Sequence, residues 1–254
     1  QISSTRISDL ENEKSELRSL LEETKSQLKA LQQQQQTIDG HSEGTIFLFN
    51  YVDFLDSRNK RNGAERDSDN IMKSFSKLGY KIYTHTNYTF EETLAKFEEI
   101  QKDCTLANLI IMILSHGTNR YSFMTSDERN IDLDKLRRMF TNSACPSLKG
   151  KSKIFMANFC RGDRIEHVHD ACVTPSSYEP PHNMVTIHAA TEGIKAVRDQ
   201  KKGSIFVLSL CKIINEQPEL ELREIFNELY RQMNEAGGTT PMWEGFPPID
   251  EFYF

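Results

Sequence analysis

The spacing of hydrophobic and polar positions changes character along the chain. Gln1 to about Gln36 contain no Pro or Gly. Their apolar residues follow a heptad grid, with Ile7, Leu21 and Leu28 at one position and Leu10, Leu17 and Leu31 at the other. So narrow a seam fits a short self-associating coiled coil or a single surface-docked helix, with disorder as a third reading. Lys14 and Thr24 fall on the same seam and weaken it. The run Gln32 to Gln36, then Thr37-Ile38-Asp39-Gly40, marks a change of composition, and Gly40 to Gly44 reads as linker. A globular domain is expected to start near Thr45.

From there short apolar runs alternate with amphipathic stretches, the pattern of an α/β domain with a largely parallel sheet. The spacing predicts strands at Ile46–Phe49, Lys81–Thr84, Leu109–Leu114, Ile154–Ala157, Met184–His188 and within Pro241–Phe246. Helical spacing runs over Asp67–Leu78, Phe90–Lys102, Leu133–Phe140, Ser204–Asn215 and Leu222–Glu235. Asp163 to Asn183, with Asp170, Pro175, Pro180 and Pro181, carries no period and reads as an exposed connector.

Composition narrows the choice of function. The 254 residues allow one mid-sized domain plus an appendage. Lys+Arg of 31 against Asp+Glu of 37 leaves a net charge of -6, which disfavours nucleic acid or an anionic membrane as partner. The longest apolar stretch, Leu109 to Leu114, is far short of a membrane span, and the N-terminus has no signal pattern. Five scattered cysteines without a CxxC pair fit a reducing, cytoplasmic setting, and no metal or other cofactor is expected. Because residue 1 is Gln and not Met, the chain reads as a fragment or a processed form.

The candidate chemistry lies just past two predicted strands. Ser115-His116-Gly117 follows Leu109–Leu114, and Asn158-Phe159-Cys160-Arg161-Gly162 follows the run that ends at Ala157. Carboxyl ends of parallel strands are where α/β sheets bind ligands, so neighbouring strands can join His116 to Cys160 across 44 residues of sequence. A thiol needs a base or a cation beside it to become a good nucleophile, and His116 supplies one. Unhindered N–H groups of Gly117 and Cys160 can stabilise the oxyanion of a tetrahedral intermediate.

Ser115-His116-Gly117 together with Phe159-Cys160-Arg161-Gly162 resembles the caspase active site. The similarity runs from about Thr45 to Phe254 and takes in Arg61-Asn62-Gly63 with Asp67 and Asn70, Thr191-Glu192-Gly193 before Arg198, Gly203-Ser204, and Ser209-Leu210-Cys211. The resemblance implies the caspase fold, a central mostly parallel sheet flanked by helices, here preceded by a helical segment. It implies an endopeptidase that cuts after Asp, with Arg61, Arg198 and Asn158 lining the pocket for the substrate acid. Asn158 stands where the family has Gln, Phe159 where it has a small residue, and Val197 where an aromatic residue walls the next subsite. The first two departures suggest a pocket that is wider or differently shaped, and one that also accepts Glu. Arg161 resembles an arginine that packs structurally, and Cys104, Cys145, Cys172 and Cys211 are taken as packing residues. The same likeness implies a zymogen cut after Asp170 or Asp39. That gives a helical or coiled-coil segment at 1–39, a large part at 40–170 and a small part at 171–254. Homodimers, protein substrates cut after acidic residues, and adaptor or inhibitor proteins are the expected partners. An initiator-like protease activated by dimerisation or self-cleavage is the first reading; an inactive homologue that regulates an active caspase by binding it is the second, and a coiled-coil scaffold whose globular part is only an interaction module is a third.

Overall fold

Apolar runs from distant parts of the sequence line up as the middle of one sheet in the computed structural model, which describes residues 14, 16–25, 27, 44–162, 180–191, 193, 198–199, 201–246 and 252–254. The strands are β1 (Thr45–Asn50), β2 (Lys81–Thr86), β3 (Leu109–Leu114), β6 (Lys153–Asn158), β7 (Met184–His188) and β10 (Met242–Phe246), in the order β10-β7-β6-β3-β1-β2. All pair in parallel except β10, which runs antiparallel to β7 at one edge. Every residue of β3 and β6 is buried, as expected for central strands covered on both faces.

Side-chain alternation divides the core in two. Ile46, Leu48, Ile110 and Met112 face Ile71 and Phe75 of α1 (Glu65–Phe75), Phe206 and Leu210 of α4 (Ile205–Glu216) and Leu229 of α5 (Leu222–Glu235). Phe47, Phe49, Ile111 and Ile113 face Phe97 and Ile100 of α2 (Phe90–Lys102) and Leu136 of α3 (Leu133–Arg138) on the other side. α2 begins with a capping box: Thr89 Oγ1 accepts from the Glu92 N–H while the Glu92 carboxylate accepts from the Thr89 N–H. Because α1 leads from β1 outward to β2 and α2 leads back across the opposite face to β3, the sheet reverses between β1 and β3. A crevice at the carboxyl ends of the strands is expected there.

The elements differ from the sequence reading mainly at their ends. The first helix starts at Glu65 and finishes in a tighter turn, Ser76–Leu78, closed by Gly79 at φ 84°. α3 stops at Arg138, short of Phe140. Two small hairpins were not foreseen: β4 (Ser122–Met124) with β5 (Asn130–Asp132), and β8 (Arg198–Asp199) with β9 (Gly203–Ser204). Each strand is too short to show alternation. The chain divides into two units, Gln1–Ser42 and Glu43–Phe254. In the first, the described residues between 14 and 27 are helical, with Leu17, Leu20 and Leu21 exposed. Leu20 lies off the heptad seam, so the apolar face is wider than the seam alone. Among the described residues, no helix is long and apolar enough to cross a membrane.

Candidate active site

Register brings the two predicted groups together. Leu114, the last residue of β3, pairs with Asn158, the last of β6, and the Ser115 N–H donates to the Asn158 carbonyl at 3.2 Å. His116 and Cys160 therefore leave adjacent parallel strands at the same end, both half-buried. The His116 ring is held on two further sides. Its Nε2 lies 2.7 Å from the Asn59 carbonyl oxygen, and the Phe54 ring packs on it with centroids 5.1 Å apart. A carbonyl only accepts, so Nε2 carries a proton, and in the neutral form of the ring the lone pair is then on Nδ1. Sequence reading missed Asn59 and Phe54, and for Asn59 no signal was available, because a main-chain carbonyl has no side-chain signature.

Gly117 is fixed by the short hairpin and by Cys160. It forms a bridge with Phe123, flanked by bonds from the Thr118 N–H to the Ser122 carbonyl (3.0 Å) and from the Met124 N–H to the His116 carbonyl (2.9 Å). In such a pair the central residue's own N–H points away from its partner strand. A Cβ on Gly117 would overlap the Cys160 carbonyl oxygen outright and stand 2.5 Å from its carbon and 2.9 Å from the Cys160 nitrogen. Only glycine fits this approach.

The three predicted acid-pocket residues fall along one line of contacts. Arg61 is 2% exposed, and its Nη1 donates to the Tyr51 carbonyl (2.6 Å), the Leu114 carbonyl (3.1 Å) and Asn50 Oδ1 (3.2 Å). A permanently charged group is thereby set at the carboxyl ends of β1 and β3, where the sheet reverses. Asn158, 3% exposed, donates from Nδ2 to Ser204 Oγ at 2.7 Å. That hydroxyl also accepts from the Val207 N–H at the start of α4 and donates to Asp67 Oδ1, which uses both its lone pairs and its proton. Asp67 Oδ1 takes the Ser204 N–H as well, at 2.7 Å. Gly203, at φ 108°, lets this approach happen, since a Cβ there would stand 2.5 Å from that oxygen. β8 pairs Arg198 with Ser204, which sets the Arg198 backbone beside Asn158's partner. Asp67 and Ser204 belonged to the matched segments without a role; they are what holds Asn158. Val197, Asp170, Asp39 and Cys172 lie outside the described residues.

Two readings are corrected. Phe159 does not shape the pocket: it is 1% exposed and packs on Phe123 at 5.7 Å, within the core on the α2–α3 face. Cys104 is exposed and is not a packing residue, whereas Cys145 and Cys211 are buried. Burial pushes the Cys211 thiol up to about 11.

Arg161, next to Cys160 in sequence, is buried, its Nε donating to the Arg120 carbonyl at 2.9 Å and its guanidinium lying over the Tyr121 ring. Nearby, the Glu244 carboxylate of β10 receives Arg137 Nη1 at 2.8 Å and His188 Nε2 at 3.0 Å. Burial opposes ionisation of Glu244. The hydrogen bonds from His188 and Arg137 outweigh it and hold the carboxyl down at about 2. Burial likewise lowers the His188 imidazole, so His188 donates as a neutral ring and Arg137 carries the charge. This cluster ties the edge strand to the end of β7 and to α3.

A family model described as the caspase domain matches residues 43–253. Among curated proteins, the chain is 27% identical over 203 residues to caspase-7 of Gallus gallus, covering 73% of this chain and 65% of the relative. It is 27% identical over 229 residues to caspase-6 of Mus musculus, covering 80% and 81%. It is 31% identical over 130 residues to caspase-1 of Drosophila melanogaster, covering 48% and 38%. The chain belongs to the caspase family of cysteine proteases.

Proposed function

We propose that this chain is a cysteine endopeptidase that cuts after acidic residues, with Cys160 as nucleophile and His116 as base. The observation that carries the reading is the Asn59 bond to His116 Nε2, which leaves Nδ1 free of the ring proton at the carboxyl end of the strand beside Cys160. Nδ1 takes the thiol proton, and the thiolate adds to the scissile carbonyl. The resulting oxyanion is met by the N–H groups of Gly117 and Cys160. The imidazolium returns its proton to the leaving amine, and a thioester remains. Water, deprotonated by the same Nδ1, then releases the new carboxylate and the free thiol. Cleavage of an Asp peptide by the wild type beside Cys160→Ala tests this directly.

The acid preference rests on the Arg61 guanidinium, since a buried carboxylate is best met by a planar, permanent, forked donor. Arg198 completes the pair by resemblance. Asn158 is one methylene shorter than the family Gln and has one amide hydrogen turned to Ser204, which leaves room for a longer acid. Matched peptides ending in Asp or Glu are expected to differ in kcat/KM by no more than ~100-fold, and Asn158→Gln widens the gap. Undetectable cleavage after Glu removes this part of the reading.

We also infer that protomers pair, and that residues 1–36 promote pairing by raising the local concentration, as in an initiator-like protease. The exposed Leu17 and Leu21 on the heptad seam support it. Deleting residues 1–36 is expected to raise the concentration at which dimers and activity appear; unchanged dimerisation discards the inference.

A further inference from the structure

The turn between β4 and β5 reaches back to the base. It is rigid: the Thr125 N–H donates to the Arg129 carbonyl (2.8 Å), the Glu128 N–H donates to the Thr125 carbonyl (2.9 Å), and Asp127 Oδ1 accepts from Thr125 Oγ1 (2.6 Å) and the Phe90 N–H (3.0 Å). Glu128 sits in this turn at φ 60°, a backbone region that a residue with a Cβ rarely adopts. Its side chain is half-buried, and Oε1 accepts two bonds from residues about seventy positions earlier: the Asp56 N–H at 2.8 Å and Asn59 Nδ2 at 2.9 Å. These two donors bracket the single turn Ser57–Asn59, whose own closing bond runs from the Asn59 N–H to the Asp56 carbonyl at 2.9 Å. The Leu55 N–H adds a parallel bond to the Ser126 carbonyl at 3.0 Å. One carboxylate oxygen thus fixes both ends of the turn whose last carbonyl, that of Asn59, receives His116 Nε2 at 2.7 Å.

We propose that Glu128 is a positioning residue for the His116–Cys160 pair, holding the Asn59 carbonyl where it selects the His116 tautomer with Nδ1 unprotonated. The assignment rests on the peptidase reading above. Bonds to a carboxylate are about twice as strong as neutral ones, which suits a group that restrains an otherwise exposed loop. Without it the loop and its carbonyl shift, and a displacement of about 1 Å at a base is worth up to ~100-fold in rate.

The test compares Glu128→Ala, Glu128→Gln and Asn59→Ala with wild type and His116→Ala. Two readouts are taken: kcat and KM on an Asp peptide, and the pH dependence of iodoacetamide alkylation at Cys160, followed by mass spectrometry of the labelled peptide. In Glu128→Ala, kcat falls ~10–100-fold with KM nearly unchanged, and the alkylation profile moves towards that of His116→Ala. Glu128→Gln keeps most of the wild-type behaviour, because its amide oxygen accepts the same two bonds. Asn59→Ala, which removes one leg and keeps the carbonyl, shifts in the same direction and serves if Glu128→Ala fails to fold. A folded Glu128→Ala or Asn59→Ala with unchanged kcat and alkylation, beside a wild type whose alkylation depends on His116, overturns the positioning role alone. Identical alkylation in wild type and His116→Ala overturns the Cys–His pairing and this assignment with it.

Discussion

Gly117→Ala is expected to lower kcat/KM by at least ~100-fold while the sheet stays folded. The added methyl has no rotamer to escape into, because what it meets is the Cys160 main chain. The carbonyl and nitrogen of Cys160 must move away from residue 117, shifting the thiol proposed as nucleophile relative to His116 and pulling apart the two N–H groups proposed for the oxyanion. Both segments lie past the ends of β3 and β6, whose own pairing stops at Leu114 and Asn158, so the strands need not follow. Circular dichroism and a thermal melt check that the fold persists. A folded Gly117→Ala within tenfold of wild type would contradict the close approach on which the site is built.

Arg61→Ala is expected to act on both stability and turnover. Its guanidinium donates to the Tyr51 carbonyl and Asn50 Oδ1, and to the Leu114 carbonyl, which also accepts from the Tyr51 N–H, in a region with almost no solvent. Removing it takes the donor from the Tyr51 carbonyl and Asn50 Oδ1, while the Leu114 carbonyl keeps the Tyr51 N–H, and costs about 2–4 kcal/mol. Cleavage after Asp is expected to drop by at least ~1000-fold, beyond what the stability loss explains at a temperature where the variant is folded. Arg61→Lys separates the two effects. An ammonium recovers part of the stability by meeting one or two carbonyls, but it offers no fork to a substrate carboxylate, so turnover stays low. Full turnover in a folded Arg61→Lys would place the acid-binding charge elsewhere.

β1, β3 and β6 were legible as apolar runs, and β3 and β6, buried on both faces, carried the clearest signal. The positions of His116 and Cys160 past strand ends followed from the same runs. The hairpin of β4 and β5 was not legible, since Phe123 and Ile131 are the only buried apolar residues in two strands of three. Yet that hairpin seats Gly117 and carries Glu128. Contacts that span the sequence were hidden as well: Asn158 meets Ser204 46 residues on, and Asp67 meets Ser204 across 137. Phe159 was misplaced for the opposite reason. Local sequence set it next to Cys160, whereas it continues past β6 the alternation of Phe155 and Ala157 and so turns into the core.

This family member is proposed to be an active protease using Cys160. The most direct measurement is turnover of a fluorogenic peptide series with Asp, Glu, Asn or Lys at the cut position, with and without a kosmotropic salt that favours association, beside Cys160→Ala. The expected result is cleavage after Asp, weaker cleavage after Glu, none after Asn or Lys, and no activity in the variant. No turnover of any peptide by a folded, dimeric sample, or turnover that survives Cys160→Ala, would contradict it; the first result would favour an inactive homologue that acts by binding.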